Sequence, residues 1–392
     1  MIKLIQDYVL KYTHWRFIMK ITNVEAIIVK QKEIELIGDG SQDTVVIKVY
    51  TDEGIVGVGE VDSSPYVVKS VIEAPASHMV CMGLKHAVIG EDPFDVEKIW
   101  HKMYDLAYYH GRRSVVIHAM SGIDMAIWDI MGKATGLPVH KLLGGSFRDS
   151  IQAYCSVLMP DSEDEIKRIA DTYLPQGYKG IKFGWGALGQ SPERDLHLVK
   201  TARKAMGDAP ELMIDIGMVW KDLKGAINLC NAFKDYGVYW VEEPFKPDYL
   251  EHYKRLCEST DMRISAGEEI GTLYEFDELI NGCNIDIIQP DISRCGGITI
   301  AKKVIDMAHK KGITLIPHAF KTGILMSASL HIIANTPNAL WLEYVNQETV
   351  LSKTLVKKHF TIDDKGVVTI PNKPGLGIEL DEEILNFYRV DA

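Results

Sequence analysis

Seven polar residues stand at the ends of seven short apolar runs: Lys182, Asp215, Glu242, Glu268, Asp291, His318 and Glu343, spaced by 33, 27, 26, 23, 27 and 25 residues. That spacing matches one strand plus one helix per step, and a parallel barrel brings the C-terminal ends of its strands to one face. All seven groups would then converge. Three acids in succession, Asp215, Glu242 and Glu268, offer oxygen ligands to a hard divalent cation, and Mg²⁺ is the occupant such a donor set suits. A lone acid at such a position is more often a solvated or helix-capping carboxylate; three in register reverse those odds. A second acid follows directly in Val241-Glu242-Glu243-Pro244 and in Gly267-Glu268-Glu269. Because side chains alternate along a strand, one of each pair points inward. The first acid of each pair is taken as the ligand, leaving Glu243 and Glu269 as supporting partners.

Asp291 and His318 end the next two strands, close enough in a barrel for the carboxylate to bond one ring nitrogen and leave the other as a general base toward the metal. Asp291 would fix the tautomer and stabilise the imidazolium. The chain holds 13 histidines, and only His318 has this position. Lys182, in GIKFGWG, needs anionic company if buried, which a metal-bound substrate could supply; a surface lysine is the plainer alternative. Glu343 is either a protonated hydrogen-bond donor to a substrate carboxylate, if burial keeps it neutral, or a structural ion-pair acid. Arg112, Arg113 and Lys321 are candidate substrate-binding cations, the two arginines equally readable as surface ion pairs. Gly54-x-x-Gly57-x-Gly59 opens no helix and reads as a turn and a close-packed strand, and Gly132-Lys133 lacks the rest of a P-loop.

The elements that position these groups follow from pattern. At 392 residues, 46% hydrophobic and 25% charged, the chain has the composition of an ordinary folded protein, which excludes disordered and collagen-like classes. A net charge of −11 without a basic block argues against nucleic acid and membrane as partners, and an anionic substrate would need local positive charge. The six cysteines are scattered with no C-x-x-C pair, so neither a zinc knuckle nor a disulfide framework is expected. No apolar leader and no apolar run of membrane-spanning length is seen, which leads to an expected cytoplasmic location.

Residues 1–18 read as an extension before Met19. Three alternating runs, from Met19, Thr44–Tyr50 and Ile55–Val61, predict an antiparallel sheet, and Met120, Ile123, Ile127 and Ile130 mark a helix ended by Gly136 and Pro138. Strands followed by helices give an α+β unit over 19–145. Beyond Ser150 the β/α rhythm predicts an α/β barrel of TIM type. The tail from 354 contains two strand-like runs, FTIDD and GVVTI, and is expected to return to the N-terminal sheet.

Taken together, SGIDMAIWDIMGKATGLPVHKLLGG (121–145), GIKFG, MIDIGMVW, VEEP, AGEE, QPDISRCGG, PHAFKTGI and PGLGIELDE resemble the enolase superfamily, within it the mandelate racemase-like group, from Met19 onward. The resemblance implies a modified TIM barrel, (β/α)₇β, over 146–353, with an N-terminal α+β capping domain over 19–145 completed by 354–392. It implies one Mg²⁺ per subunit on Asp215, Glu242 and Glu268, a base dyad of Asp291 and His318, and Glu343 as the acid that bonds the substrate carboxylate. Lys182 matches the first lysine of a K-x-K motif. Two departures stand out: Gly184 replaces the second lysine, and Gly217 replaces an asparagine often found after the first metal ligand.

Racemisation needs proton exchange on both faces of a carbon, whereas dehydration can run from one. The expected activity is therefore Mg²⁺-dependent dehydration of an acid sugar, aldonate or aldarate, to a 2-keto-3-deoxy acid through an enediolate. The alternatives are an epimerase, racemase or cycloisomerase that uses Lys182 as its second acid/base, and a non-catalytic ligand-binding member. The partner is a small carboxylate substrate, the resemblance favours a homo-oligomer, and loops 32–42 and 108–113 are the expected source of specificity.

Overall fold

The computed structural model describes residues 19–346 and 349–390; the extension 1–18 lies outside them. β1 (Ile21–Lys30), β2 (Asp43–Thr51) and β3 (Val56–Val61) form a three-stranded antiparallel sheet in sequential order. Gly54 turns β2 into β3 with φ 75°, a left-handed conformation that glycine adopts without strain. One face of this sheet carries the long helix Val115–Thr135, which Gly136 terminates at φ 71° by donating to the Gly132 and Lys133 carbonyls. The helix is long and apolar enough to cross a bilayer, but it is buried in the fold. Its two internal acids are satisfied: Asp124 accepts from Thr299 Oγ1 at 2.5 Å, and Asp129 accepts from Val58 N at 3.0 Å and Leu376 N at 2.8 Å.

Helix and sheet meet backbone to backbone. A Cβ placed on Gly57 or Gly59 would stand 2.0 Å from the carbonyl oxygen of Ala126 or Gly122, so this glycine pair is a packing requirement and not a nucleotide loop. Gly59→Ala should therefore destabilise the fold by about 1–3 kcal/mol through overpacking, read as a lower urea midpoint; an unchanged midpoint would show that the helix can lift off β3 without cost.

The second sheet contains eight parallel strands, β4 (Ser150–Leu158), β5 (Gly180–Gly184), β6 (Glu211–Asp215), β7 (Val238–Glu242), β8 (Ile264–Ala266), β9 (Ile287–Ile288), β10 (Thr314–Leu315) and β11 (Leu342–Val345). They pair in sequence from β4 to β10, and β11 returns to pair with β4. Between β10 and β11 closure runs through a side chain, Ala319 N donating to Glu343 Oε2 at 2.7 Å. Tyr154, Met213, Trp240, Ile287 and Ile316 form a buried cluster of their own, the filled interior that makes such a barrel a core and not a pore. This is the (β/α)-barrel fold of TIM type with an antiparallel N-terminal sheet as its cap.

β4 is absent from the seven strands predicted from strand-end chemistry. Near its C-terminal end it carries Ser156, which is neither an acid nor a base. In the tail, FTIDD forms no strand, and β12 (Val367–Thr369) pairs antiparallel with β4 instead of with the N-terminal sheet. The last described residues do reach that sheet: Val390 N donates to Ile28 O at 2.9 Å.

Candidate active site

A cavity of about 300 Å³ opens at the C-terminal ends of the barrel strands. Asp215 and Glu242 are the last residues of β6 and β7, and Glu268 follows β8 by two positions. One carboxylate oxygen from each lies within 4.8 Å of the others, and all three side chains are buried. Three buried like charges are mutually repulsive without a cation among them. Accordingly burial, then Glu242, push the Asp215 carboxyl well above the usual range, and burial raises Glu268 as well. Glu268 Oε2 is also a buried oxygen with no hydrogen-bond partner. An all-oxygen donor set with an orphaned oxygen fits a hard divalent cation.

Neighbouring side chains hold this triad in place. Glu242 Oε2 accepts from Trp240 Nε1 at 2.9 Å and Gln289 Nε2 at 2.8 Å. Glu243 turns away, accepting from Gly267 N at 2.7 Å and Tyr253 Oη at 2.6 Å, which fixes the backbone that carries Glu268. Glu269 goes elsewhere: it pairs with Arg294 at 2.8 Å and lines the cavity.

His318 Nδ1 lies 2.7 Å from Asp291 Oδ2. A carboxylate only accepts, so Nδ1 carries the proton and donates. The other Asp291 oxygen accepts from Ser293 N at 2.7 Å and Ser293 Oγ at 2.6 Å. His318 Nε2 thus faces the acids, 3.4 Å from Glu268 and 3.9 Å from Glu343. Burial works against an imidazolium here, but Glu268, Glu343 and Asp291 outweigh it and lift His318 to about 10.

Lys182, on β5, is buried with its ammonium against Glu242, 2.8 Å from Glu343 and 3.8 Å from Asp215. Its anionic company comes from the protein. Burial would raise Glu343, yet Lys182 and His318 hold it down at about 2. In this arrangement Glu343 is the carboxylate partner of the Lys182 ammonium. Glu343 also accepts from Ser156 Oγ at 2.8 Å and from Ala319 N at 2.7 Å.

The three proposed substrate cations do not line the cavity. Arg112 is exposed. Arg113 is committed to Glu275 at 3.0 Å and lies over the Tyr274 ring. Lys321 is buried and donates to Asp62 Oδ1 at 2.7 Å and to the Gly40 carbonyl at 2.5 Å, tying the 31–42 loop to the barrel. The cation missed from sequence is Arg294, which lines the cavity and pairs with Asp62 from the cap and with Glu269. It stands one helical turn beyond Asp291, a spacing that could have identified it. Of the expected specificity loops, 32–42 contributes Ile37, Gly38, Asp39 and Gly40 to the cavity, whereas 108–113 contributes nothing.

The two glycine departures have a steric cause. A Cβ on Gly184 would lie 2.8 Å from Asp215 Oδ2, and one on Gly217 would lie 2.8 Å from Cδ2 of the Trp185 indole. No second lysine fits without displacing Asp215.

These proton affinities give a prediction. A divalent cation entering the acids favours their ionised forms, against the raised proton affinity of Asp215, and weakens the grip of Glu268 on the His318 proton. Mg²⁺ binding should therefore release protons and tighten as pH rises. Calorimetric titration in two buffers of different ionisation enthalpy reads this directly; equal heats would contradict it.

Known proteins match this architecture closely. The arabinonate dehydratase of Saccharolobus solfataricus is 31% identical over 359 residues, 91% of this chain and 93% of that protein. The crystal structure of the 3,6-anhydro-D-galactonate cycloisomerase from Zobellia galactanivorans is 31% identical with a TM-score of 0.85, covering 95% of this chain and 100% of that one. A racemase from Streptomyces coelicolor A3(2), solved with bound magnesium, is 25% identical with a TM-score of 0.81 over 94% of this chain and 100% of that one. Residues 24–144 match the model of the mandelate racemase / muconate lactonizing enzyme N-terminal domain, and residues 165–384 match that of the enolase C-terminal domain-like family. The chain is therefore a mandelate racemase-like member of the enolase superfamily.

Proposed function

We propose that this enzyme dehydrates an acid sugar to a 2-keto-3-deoxy acid. The observation that carries the reading is the one-sidedness of the base: His318 Nε2 faces the acids, whereas the place of a second base is closed by the contact between Gly184 and Asp215. Lys182 is a poor substitute. Although burial opposes its charge, Glu242 and Glu343 favour its ammonium form, which suits it to donate a proton rather than to accept one.

In this reading Asp215, Glu242 and Glu268 hold one Mg²⁺, which when bound supplies positive charge for the substrate carboxylate and the developing enediolate. His318 removes the α-proton, and Asp291 holds the resulting imidazolium in its orientation. The C–H electrons form the enediolate, which expels the β-hydroxyl. The imidazolium returns its proton to that oxygen, so water leaves, and the enol tautomerises to the 2-keto acid. Lys182, at the hydrogen-bonding end of Glu343, donates toward the carboxylate end of the substrate. The similarity to the arabinonate dehydratase supports this reading. The similarity to the Zobellia cycloisomerase supports a second, in which the same enediolate closes or opens a ring.

Incubation with Mg²⁺ and a panel of aldonates and aldarates in deuterium oxide tests it. The expected product is a keto acid, trapped as its semicarbazone. Deuterium entering recovered substrate or an isomer without keto acid would move the assignment to isomerisation, and stoichiometric binding without turnover would move it to a binding protein.

A further inference from the structure

Resting on the acid-sugar reading, we propose that the substrate is a monocarboxylate, an aldonate and not an aldarate, whose C–H face lies against the indole of Trp185. Trp185 follows β5 with φ 51°, a left-handed conformation rare for a bulky residue, and its backbone is fixed by donation to the Asp215 carbonyl at 3.0 Å. The indole lies where Gly217 leaves room: a Cβ there would stand 2.8 Å from it, while Gly38 packs against the ring at ordinary contact distance. The side chain nevertheless remains 40% exposed. It borders both the catalytic cavity and an adjoining one, together with Ile37 and Leu158. A rigid, half-exposed indole beside an apolar wall is a platform for the C–H face of a polyol, not for a charged group.

Charge excludes a second carboxylate. Among the described residues, every cation lining the cavity already has a carboxylate: Lys182 has Glu242 and Glu343, Arg294 has Asp62 and Glu269, and His318 has Asp291. The other charged lining residues away from the triad, Asp39, Asp62, Glu269 and Glu343, are all acids. They can accept hydrogen bonds from sugar hydroxyls, but they repel an anion. One substrate carboxylate is served by the cation that the triad fits, and a distal one would be buried among carboxylates and an indole without a partner.

The test uses the full-length His318→Asn protein with Mg²⁺, which binds without turning over, and a panel of C5 and C6 aldonates, each paired with the aldarate of the same configuration. Calorimetry should give the preferred aldonate an affinity at least about 100-fold above that of its aldarate. Adding Trp185→Ala should weaken that aldonate about tenfold, while Trp185→Phe should retain most of the affinity and lose much of the ligand-induced change in tryptophan emission. An aldarate that binds as tightly as its aldonate, or unchanged affinity in both Trp185 variants, overturns the proposal. If no member of any pair binds while Mg²⁺ does, the acid-sugar reading itself falls, and this proposal with it.

Discussion

Replacing His318 by asparagine will lower kcat by about 10³–10⁴-fold, the range for removal of a positioned general base, while leaving Mg²⁺ binding in place. Asparagine can still donate to Asp291, so the second link of the dyad survives. Stability in EDTA gives an independent check. The folded pKa of His318, about 10, lies above the ordinary value of 6.5. The imidazolium therefore contributes stability that is fully present below about pH 6.5 and is lost as pH rises through about 10. The variant should be less stable than the parent at pH 7, and the gap should close at alkaline pH. Full activity on a substrate that the parent turns over would remove His318 from the mechanism.

Lys182→Met should produce the largest change in the stability of the metal-free protein. The ammonium sits between Glu242 and Glu343 with almost no solvent contact. Its loss strands those carboxylates beside Asp215, and removing one partner of a buried ion pair costs about 3–5 kcal/mol. A divalent cation addresses the same acids, so Mg²⁺ should stabilise the variant far more than it stabilises the parent. Urea denaturation with and without EDTA measures both effects. Equal stability of variant and parent in EDTA would mean that the acids protonate without cost and that Lys182 is not what balances them. Turnover should fall as well, because the same ammonium is the donor proposed to face the substrate.

Residues that end strands were legible because chemistry and period coincide there: an acid or base recurring at the length of one β/α unit identifies both barrel and site. The sequence was silent where that coincidence fails. The site-lining polar residue near the end of β4 is Ser156, so no acid or base marks that strand, although Ser156 bonds Glu343 inside the site. Arg112, Arg113 and Lys321 were proposed on charge alone, but a cation's partners are set by three-dimensional neighbours: Glu275 takes Arg113, and Asp62 takes Lys321. Trp185 was hidden because its position depends on a positive φ and on a glycine in another segment, Gly217. Glu343 had two readings from sequence because burial and a neighbouring ammonium push its proton affinity in opposite directions, and a sequence does not hold the distance to Lys182.

The pairing of the chain's two ends has a consequence for biosynthesis. Val390 donates to Ile28, Arg389 bridges Val29, and Leu376 caps Asp129, so the cap acquires its final contacts from residues about 360 positions downstream of its first strand, a separation of very high contact order. At ~5–20 residues per second, β1 waits on the order of tens of seconds for this partner while the barrel emerges and folds between them. The cap strands are thus synthesised before the barrel, yet the cap is completed after it, and losing residues 378–390 would leave the edge of its sheet open while sparing the barrel strands.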